Sequence, residues 1–205
     1  TDKNATPRER AEDLVSRLTL EEKVPLLMFE SPAIERLGIK KYNWWNEALH
    51  GVGRHGNATV FPMPIAMAAS FDTELLEEVF TVVSDEARIK WNQVPAAPED
   101  NLQYQCLTYW TPNINIFRDP RWGRGMETYG EDPYLTGQLG MAVVRGLQGP
   151  REDGYVKSMA CAKHYALHSG PEWASHSFDA VASEKDLWET YLPAFKELVQ
   201  KSDVD

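Results

Sequence analysis

Helices that declare their own starts, each preceded by an extended apolar run, constrain this chain more than any other feature. Asp72 stands as N-cap before the apolar face Leu75, Leu76, Val79, Val82 and Val83. Asp132 and Pro133 read as N-cap and first helical residue before Leu135, Leu139, Ala142 and Val143. Ser183, with Asp186 three residues on, caps a last helix through Leu187, Tyr191, Phe195 and Leu198. The intervening runs read as strands. Thr59 to Ser70 is a strand and turn broken by Pro62 and Pro64, and 108–117, with Tyr109, Ile114, Ile116 and Phe117, is a second strand. Val156 to Ala162 is a third, whose small apolar residues suit burial on both faces of a parallel sheet. Ahead of them, Leu14, Val15 and Leu18 form one helical face, and Thr19 with Glu22 makes a capping box for a helix that Pro25 kinks. Without an internal repeat, this alternation predicts parallel β/α units, and a (β/α)8 TIM-like barrel with an N-terminal helical lead-in leads.

Such barrels run to about 250 residues, so 205 residues make one incomplete domain, 1–205. The last helix ends near Lys201, and Ser202 to Asp205 reads as the approach to a further strand, so the chain is expected to be truncated within its fold. With 31 acidic and 21 basic residues and a net charge of −10, no basic stretch can neutralise a row of phosphates, which argues against nucleic acid. No apolar run approaches the ~20 residues that span a bilayer, so no membrane partner is expected. A start at Thr1 fits removal of a signal peptide, with the protein secreted or periplasmic. The two cysteines, Cys106 and Cys161, lack metal-ligand spacing and read as buried thiols.

Barrel sites lie at the C-terminal ends of strands, so the loops that follow should carry the chemistry. Tyr42 to Gly53 places Trp44 and Trp45 beside Glu47 and ends in a flexible Gly51-Val52-Gly53. Tryptophan faces pack against the apolar side of a sugar ring while carboxylates and arginines take its hydroxyls; core tryptophans and a surface glutamate are the other reading. In the next loop, Arg118, Arg121, Trp122 and Arg124 lie among glycines that cannot pack a core and read as a rigid polar surface for a hydroxyl-rich ligand. Each arginine could equally brace the loop against a carboxylate such as Glu127, Glu131 or Asp132. Lys163-His164 closes the third strand, where a lysine has no packing role, and should point into the barrel mouth.

Taken jointly, Glu47-Ala48-Leu49-His50-Gly51, Thr111-Pro112-Asn113-Ile114-Asn115, Arg121-Trp122-Gly123-Arg124-Gly125 and Ala162-Lys163-His164-Tyr165 resemble the N-terminal barrel domain of glycoside hydrolase family 3, in its β-xylosidase and β-glucosidase branch, across residues 40 to 200. The resemblance implies an O-glycosyl hydrolase without cofactor or metal, acting on oligosaccharides or aryl glycosides. It implies that Glu47, Arg124, Lys163 and His164 hold the sugar in the −1 subsite, with Trp110 lining the same pocket. It also implies a retaining mechanism with two carboxylates about 5–5.5 Å apart. The family nucleophile, an aspartate downstream of the Lys-His pair, has no counterpart here: Asp85 falls in a predicted helix and Asp203 precedes the expected strand. The acid/base of two-domain members comes from a following α/β-sandwich domain. The chain is therefore expected to hold much of a sugar-binding site and neither catalytic carboxylate, with the missing C-terminal part of the same protein as its partner.

Three other readings compete. In the N-acetylglucosaminidase-like members the spacing of Lys163, His164, His168 and His176 recurs, but Ala174 stands where their dyad aspartate belongs and Ala166 where a proline belongs. Without the carboxylate a histidine loses the partner that orients it. A metal site on His164 and His168 would need a helix and a third ligand. A non-catalytic carbohydrate-binding fragment or inactive paralogue is the alternative from another class, because pocket groups bind without the groups that do chemistry. Glu47 tilts the substrate to pentosides, since the family's glucosidases usually carry the shorter Asp there.

Overall fold

In the computed structural model, residues 5–95, 102–151, 154–202 and 204 are described. Helix α1 (Pro7–Ser16) starts at a capping box between Thr6 and Glu9, and α2 (Leu20–Lys23) at one between Thr19 and Glu22. Pro25 ends α2 rather than kinking it, and a 3-10 turn, Pro25–Leu27, follows. The expected apolar face is only partly used: Leu18 is buried, whereas Val15 is exposed and α1 buries none of its residues. Two short antiparallel strands, β1 (Glu30–Ser31) and β2 (Tyr42–Asn43), lead into the main body.

Thr59 to Ser70 forms no strand. Pro64, with its φ already set for a helix, starts α3 (Pro64–Ala68) instead. The first parallel position lies earlier, at Asn46, which bridges Tyr109 of β3 (Thr108–Tyr109); β3 in turn pairs in parallel with β4 (Met159–Ala160). Three neighbouring chains thus run the same way, in the order 46, 109, 160. Their ladders are shorter than the apolar runs promised. Beyond β3 and β4, Cys161 N–H donates to the carbonyls of Tyr109 and Thr111, and Lys163 N–H to that of Pro112. Pro112 has no N–H to return, so pairing resumes only at the Asn113–Lys163 bridge.

The outer layer follows the caps. Asp72 accepts from Leu75 N–H and starts α4 (Thr73–Gln93), which buries Leu76, Phe80, Val83, Ser84 and Ala87. Leu75 and Val82 point outward, because the buried stripe runs one position later than the face read from the sequence. Asp132 and Pro133 start α5 (Pro133–Gln148), buried along Leu139, Ala142, Val143 and Leu147. Helix α5 packs on α4, on β4 and on α7 (Pro193–Lys201). Its Gly146 lies against α4 so closely that a Cβ would stand 2.6 Å from the Glu77 carbonyl oxygen. Ser183 caps α6 (Glu184–Asp186) as expected, but the single last helix is divided: a π turn, Leu187–Tyr191, precedes α7, and Pro193 cannot continue the hydrogen-bond series. Phe195 and Leu198 still reach the core. No helix among the described residues is long and apolar enough to cross a membrane.

Candidate functional site

Fully buried asparagines build the floor of the site. Asn46 Nδ2 donates to the carbonyls of Asn43 (3.1 Å) and Thr108 (2.8 Å), and its Oδ1 accepts from Cys106 N–H (2.8 Å). The next residue, Glu47, therefore leaves the sheet at the C-terminal end of its parallel position. Gly53 allows this, because a Cβ there would press on the Glu47 stem at 3.3 Å. The Gly51-Val52-Gly53 segment is a held turn rather than a flexible end: Val52 is buried and Gly53 N–H donates to the Glu47 carbonyl at 2.8 Å.

Lys163 arrives from beyond the end of β4, on the far side of β3 from Glu47. Only 7% exposed, it extends Nζ to Glu47 Oε2 at 3.4 Å. Its peptide to His164 is cis. Asn115 fixes His164 from below: its Nδ2 donates to the carbonyls of His164 (2.8 Å) and Ala166 (3.0 Å), which leaves Oδ1 to accept from His164 N–H (2.8 Å) and from Nδ1 (2.9 Å). The Nδ1 tautomer follows, so Nε2 keeps its lone pair and faces Arg124 Nη2 at 3.4 Å. Burial, then the charges of His168, Lys163 and Arg124, press the His164 pKa down to about 3. His164 stacks on His168 at 4.1 Å between ring centres, and burial and Arg124 lower His168 too.

Arg124 joins these groups. Its Nε and Nη2 donate to Glu127 Oε1 (2.8 Å) and Oε2 (2.7 Å), and Nη1 donates to His168 Nε2 (3.0 Å). A guanidinium has five N–H groups; these contacts and the one to His164 leave a single N–H for a ligand. Burial alone would raise the Glu127 carboxyl, but the Arg124 hydrogen bonds, the charges of Arg124 and Lys163, and the bond from Asn113 Nδ2 (3.3 Å) hold it below its ordinary value. The Glu127 hydrogen bonds raise Arg124 further. Gly125 is required where the loop turns under Phe117, whose ring occupies the place of any Cβ.

The structure thus brings together Glu47, Lys163, His164 and Arg124. Trp110 follows Tyr109, the bridge partner of Asn46, and its N–H donates to the Asn46 carbonyl at 2.9 Å. Its ring stacks on Trp45 at 4.9 Å and 20°, and the polar network of the other four does not include it among the described residues. Trp44 faces the other way and donates to Ser31. In the arginine loop, the reading of a surface without core residues is corrected, because Trp122 is buried against Phe117 and His168. Bracing occurs at all three arginines: Arg121 on Asp119, Arg124 on Glu127, and Arg118 on Ser169 and Tyr191 rather than on a carboxylate. Glu127, Asn113, Asn115 and His168 belong to the cluster although the sequence did not single them out as sugar contacts; Glu127 was legible as a partner for an arginine, and His168 only through the metal and N-acetylglucosaminidase-like readings.

Cys106 is buried and Cys161 half-buried, and burial raises both thiols. Asp85 lies within α4 and pairs with Lys157, away from this cluster, and Asp203 lies outside the described residues. Among the described residues no group of three or more His, Cys, Asp or Glu could hold a metal ion.

Residues 33–205 match the Glycosyl hydrolase family 3 N terminal domain. The chain is 56% identical to a xylan 1,4-beta-xylosidase of Xylanibacter ruminicola, over 98% of this chain and 24% of that protein. It is 46% identical to a beta-xylosidase/alpha-L-arabinofuranosidase of Medicago sativa subsp. varia, over 97% of this chain and 26% of that protein. A solved exo-beta-xylosidase in complex with a xylobiose aziridine probe superposes with a TM-score of 0.84 at 35% identity, covering 99% of this chain and 27% of that one. The beta-glucosidase of Listeria innocua in complex with isofagomine gives 0.70 at 28%, covering 97% and 31%. The chain spans about a quarter of the length of these curated relatives. Its parallel strand positions and covering helices are a TIM-barrel-like α/β fold, and the chain belongs to glycoside hydrolase family 3.

Proposed function

We propose that this chain supplies the glycone-binding wall of a retaining, exo-acting β-glycosidase that removes β-linked xylose, or glucose, from the non-reducing end of oligosaccharides. One observation carries the reading: two contacting pairs, Glu47 with Lys163 and Arg124 with His164, are brought side by side at the parallel strand ends, joined through the consecutive Lys163 and His164. A carboxylate, an ammonium, a neutral imidazole and one unused guanidinium N–H make a set of donors and acceptors suited to ring hydroxyls. The names of the relatives, xylosidases above all, support the substrate class.

Both carboxylates of the cluster are engaged, Glu47 with Lys163 and Glu127 with Arg124, and neither is placed as a nucleophile or proton donor. Nucleophile and acid/base are assigned to the rest of a longer protein, and the 205-residue chain by itself binds without turnover. The test is hydrolysis of aryl β-xyloside and aryl β-glucoside by the intact gene product and by this chain. Activity of the intact protein only is expected; robust turnover by the purified 205-residue chain would refute the assignment.

A further inference from the structure

Between Glu47 and α3 the chain runs through residues 50–61 without helix or strand, and α4 grips this loop at two points. Lys90, half-buried, donates from Nζ to the carbonyls of His55 (2.7 Å) and Asn57 (2.6 Å). Gly56 lies between them at a φ of +66°, so the chain turns around the ammonium, and a Cβ there would stand 3.9 Å from Nζ. One turn earlier on the helix, Glu86 accepts from Thr59 N–H at 3.0 Å and from the Thr59 hydroxyl at 2.6 Å. A glutamate four residues before a lysine ordinarily pairs with it along the helix face; here both reach across to the loop.

The loop passes this grip inward. The Thr59 carbonyl abuts Gly51 and leaves no room there for a Cβ. Phe61 N–H donates to the His50 carbonyl at 2.8 Å, and His50 Nδ1 lies 2.9 Å from the Phe61 carbonyl, so a protonated Nδ1 returns the bond. Gly53 N–H donates to the Glu47 carbonyl at 2.8 Å, and Gly53 itself packs on the Glu47 stem. The Glu47 carboxylate is held only by longer contacts, Ala48 N–H at 3.1 Å and Lys163 Nζ at 3.4 Å, so its direction depends on the backbone beneath it. We propose that Lys90 and Glu86 are positioning residues, which fix the Glu47 carboxylate by clamping to α4 the loop that buttresses it. This rests on the glycone-binding reading above, in which Glu47 contacts the sugar.

The test is a double-mutant cycle on the intact gene product, reading kcat/KM for aryl β-xyloside in wild type, Lys90→Met, Glu47→Ala and the two combined. Lys90→Met is expected to lower the constant roughly tenfold, as displacement of a substrate contact does. Lys90→Arg, whose guanidinium can serve both carbonyls, should recover most of that loss. Once Glu47→Ala has removed the group being positioned, Lys90→Met should change nothing further. If Lys90→Met costs nothing beside Glu47, the proposal is overturned. The same factor with and without Glu47 overturns it too, because the substitution then acts on the fold at large. Should Lys90→Met fail to fold, Thr59→Val, which takes the hydroxyl from Glu86, runs the same cycle with the same readings. A Glu47→Ala protein that hydrolyses the xyloside as wild type does would instead remove the glycone-binding reading on which this one stands.

Discussion

Glu127 grips Arg124 with two nearly parallel hydrogen bonds, Nε to Oε1 at 2.8 Å and Nη2 to Oε2 at 2.7 Å. The pair is half-buried, and Asn113 donates to the same carboxylate from the strand end below. This fork orients the guanidinium so that its remaining edge meets the two histidines.

Glu127→Gln keeps the shape and removes the charge. Charge-assisted forks of this kind are stronger than neutral hydrogen bonds, so the substitution should cost about 1–3 kcal/mol of stability. It should also lower kcat/KM for aryl β-xyloside in the intact protein. Thermal denaturation and steady-state kinetics of Glu127→Gln and Glu127→Asp check this, and the aspartate, which keeps the charge, should recover part of the loss. A glutamine variant with wild-type kinetics would mean that Arg124 needs no brace.

How far the sequence was readable depended on whether its signals were local. The N-caps at Asp72, Asp132 and Ser183 were legible because a cap acts within one turn of its own residue. The parallel position at Asn46 was not, because it is a single backbone bridge to Tyr109, reinforced by a buried side-chain amide that bonds residues some sixty positions away. A polar residue at the centre of a sheet breaks the apolar pattern by which strands are read. The same holds for Asn113 and Asn115, buried and polar for the sake of the site. The convergence of Glu47, Arg124, Lys163 and His164 came from the family resemblance, since no spacing along the chain joins them.

His164 makes a prediction about pH. Its folded-state pKa is depressed to about 3 from an ordinary 6.5, so between those values the unfolded chain binds the extra proton and folding is disfavoured. The stability that depends on neutral His164 is fully present above pH 6.5 and is lost as the pH falls toward 3. Denaturant midpoints of wild type and His164→Asn, measured from pH 7 to pH 4, should show the wild type losing more over that window. Parallel curves would mean that His164 is not held neutral.

Gly146 sets the distance between α4 and α5. A Cβ there would meet the Glu77 carbonyl oxygen at 2.6 Å and Phe80 Cβ at 2.8 Å, and the Ser84 hydroxyl donates to the Gly146 carbonyl at 2.9 Å across the same contact. Alanine favours a helix over glycine by about 1 kcal/mol, but overpacking a close contact costs about 1–3 kcal/mol. The backbone carbonyl cannot move aside cheaply, so Gly146→Ala should lower the melting temperature. An unchanged or raised value would show that the two helices can slide apart at little cost.

On the proposed glycone-binding role, Glu47 is the residue that would select the sugar. Its Oε1 accepts from Ala48 N–H at 3.1 Å, and its Oε2 reaches Lys163 only at 3.4 Å. Shortening it to aspartate withdraws the carboxylate from Lys163 and opens the space its extra methylene fills, which a hydroxymethyl group on the ring could then enter. The first effect lowers hydrolysis of xyloside and glucoside alike; the second favours glucoside alone. Exclusion by size discriminates by roughly 1–3 kcal/mol, so the ratio of the two kcat/KM values, rather than either one, reports selection. In the intact protein, Glu47→Asp should lower both constants and shift the ratio toward glucoside by about 10-fold. A ratio that stays put, or moves toward xyloside, would place the selector elsewhere in the pocket.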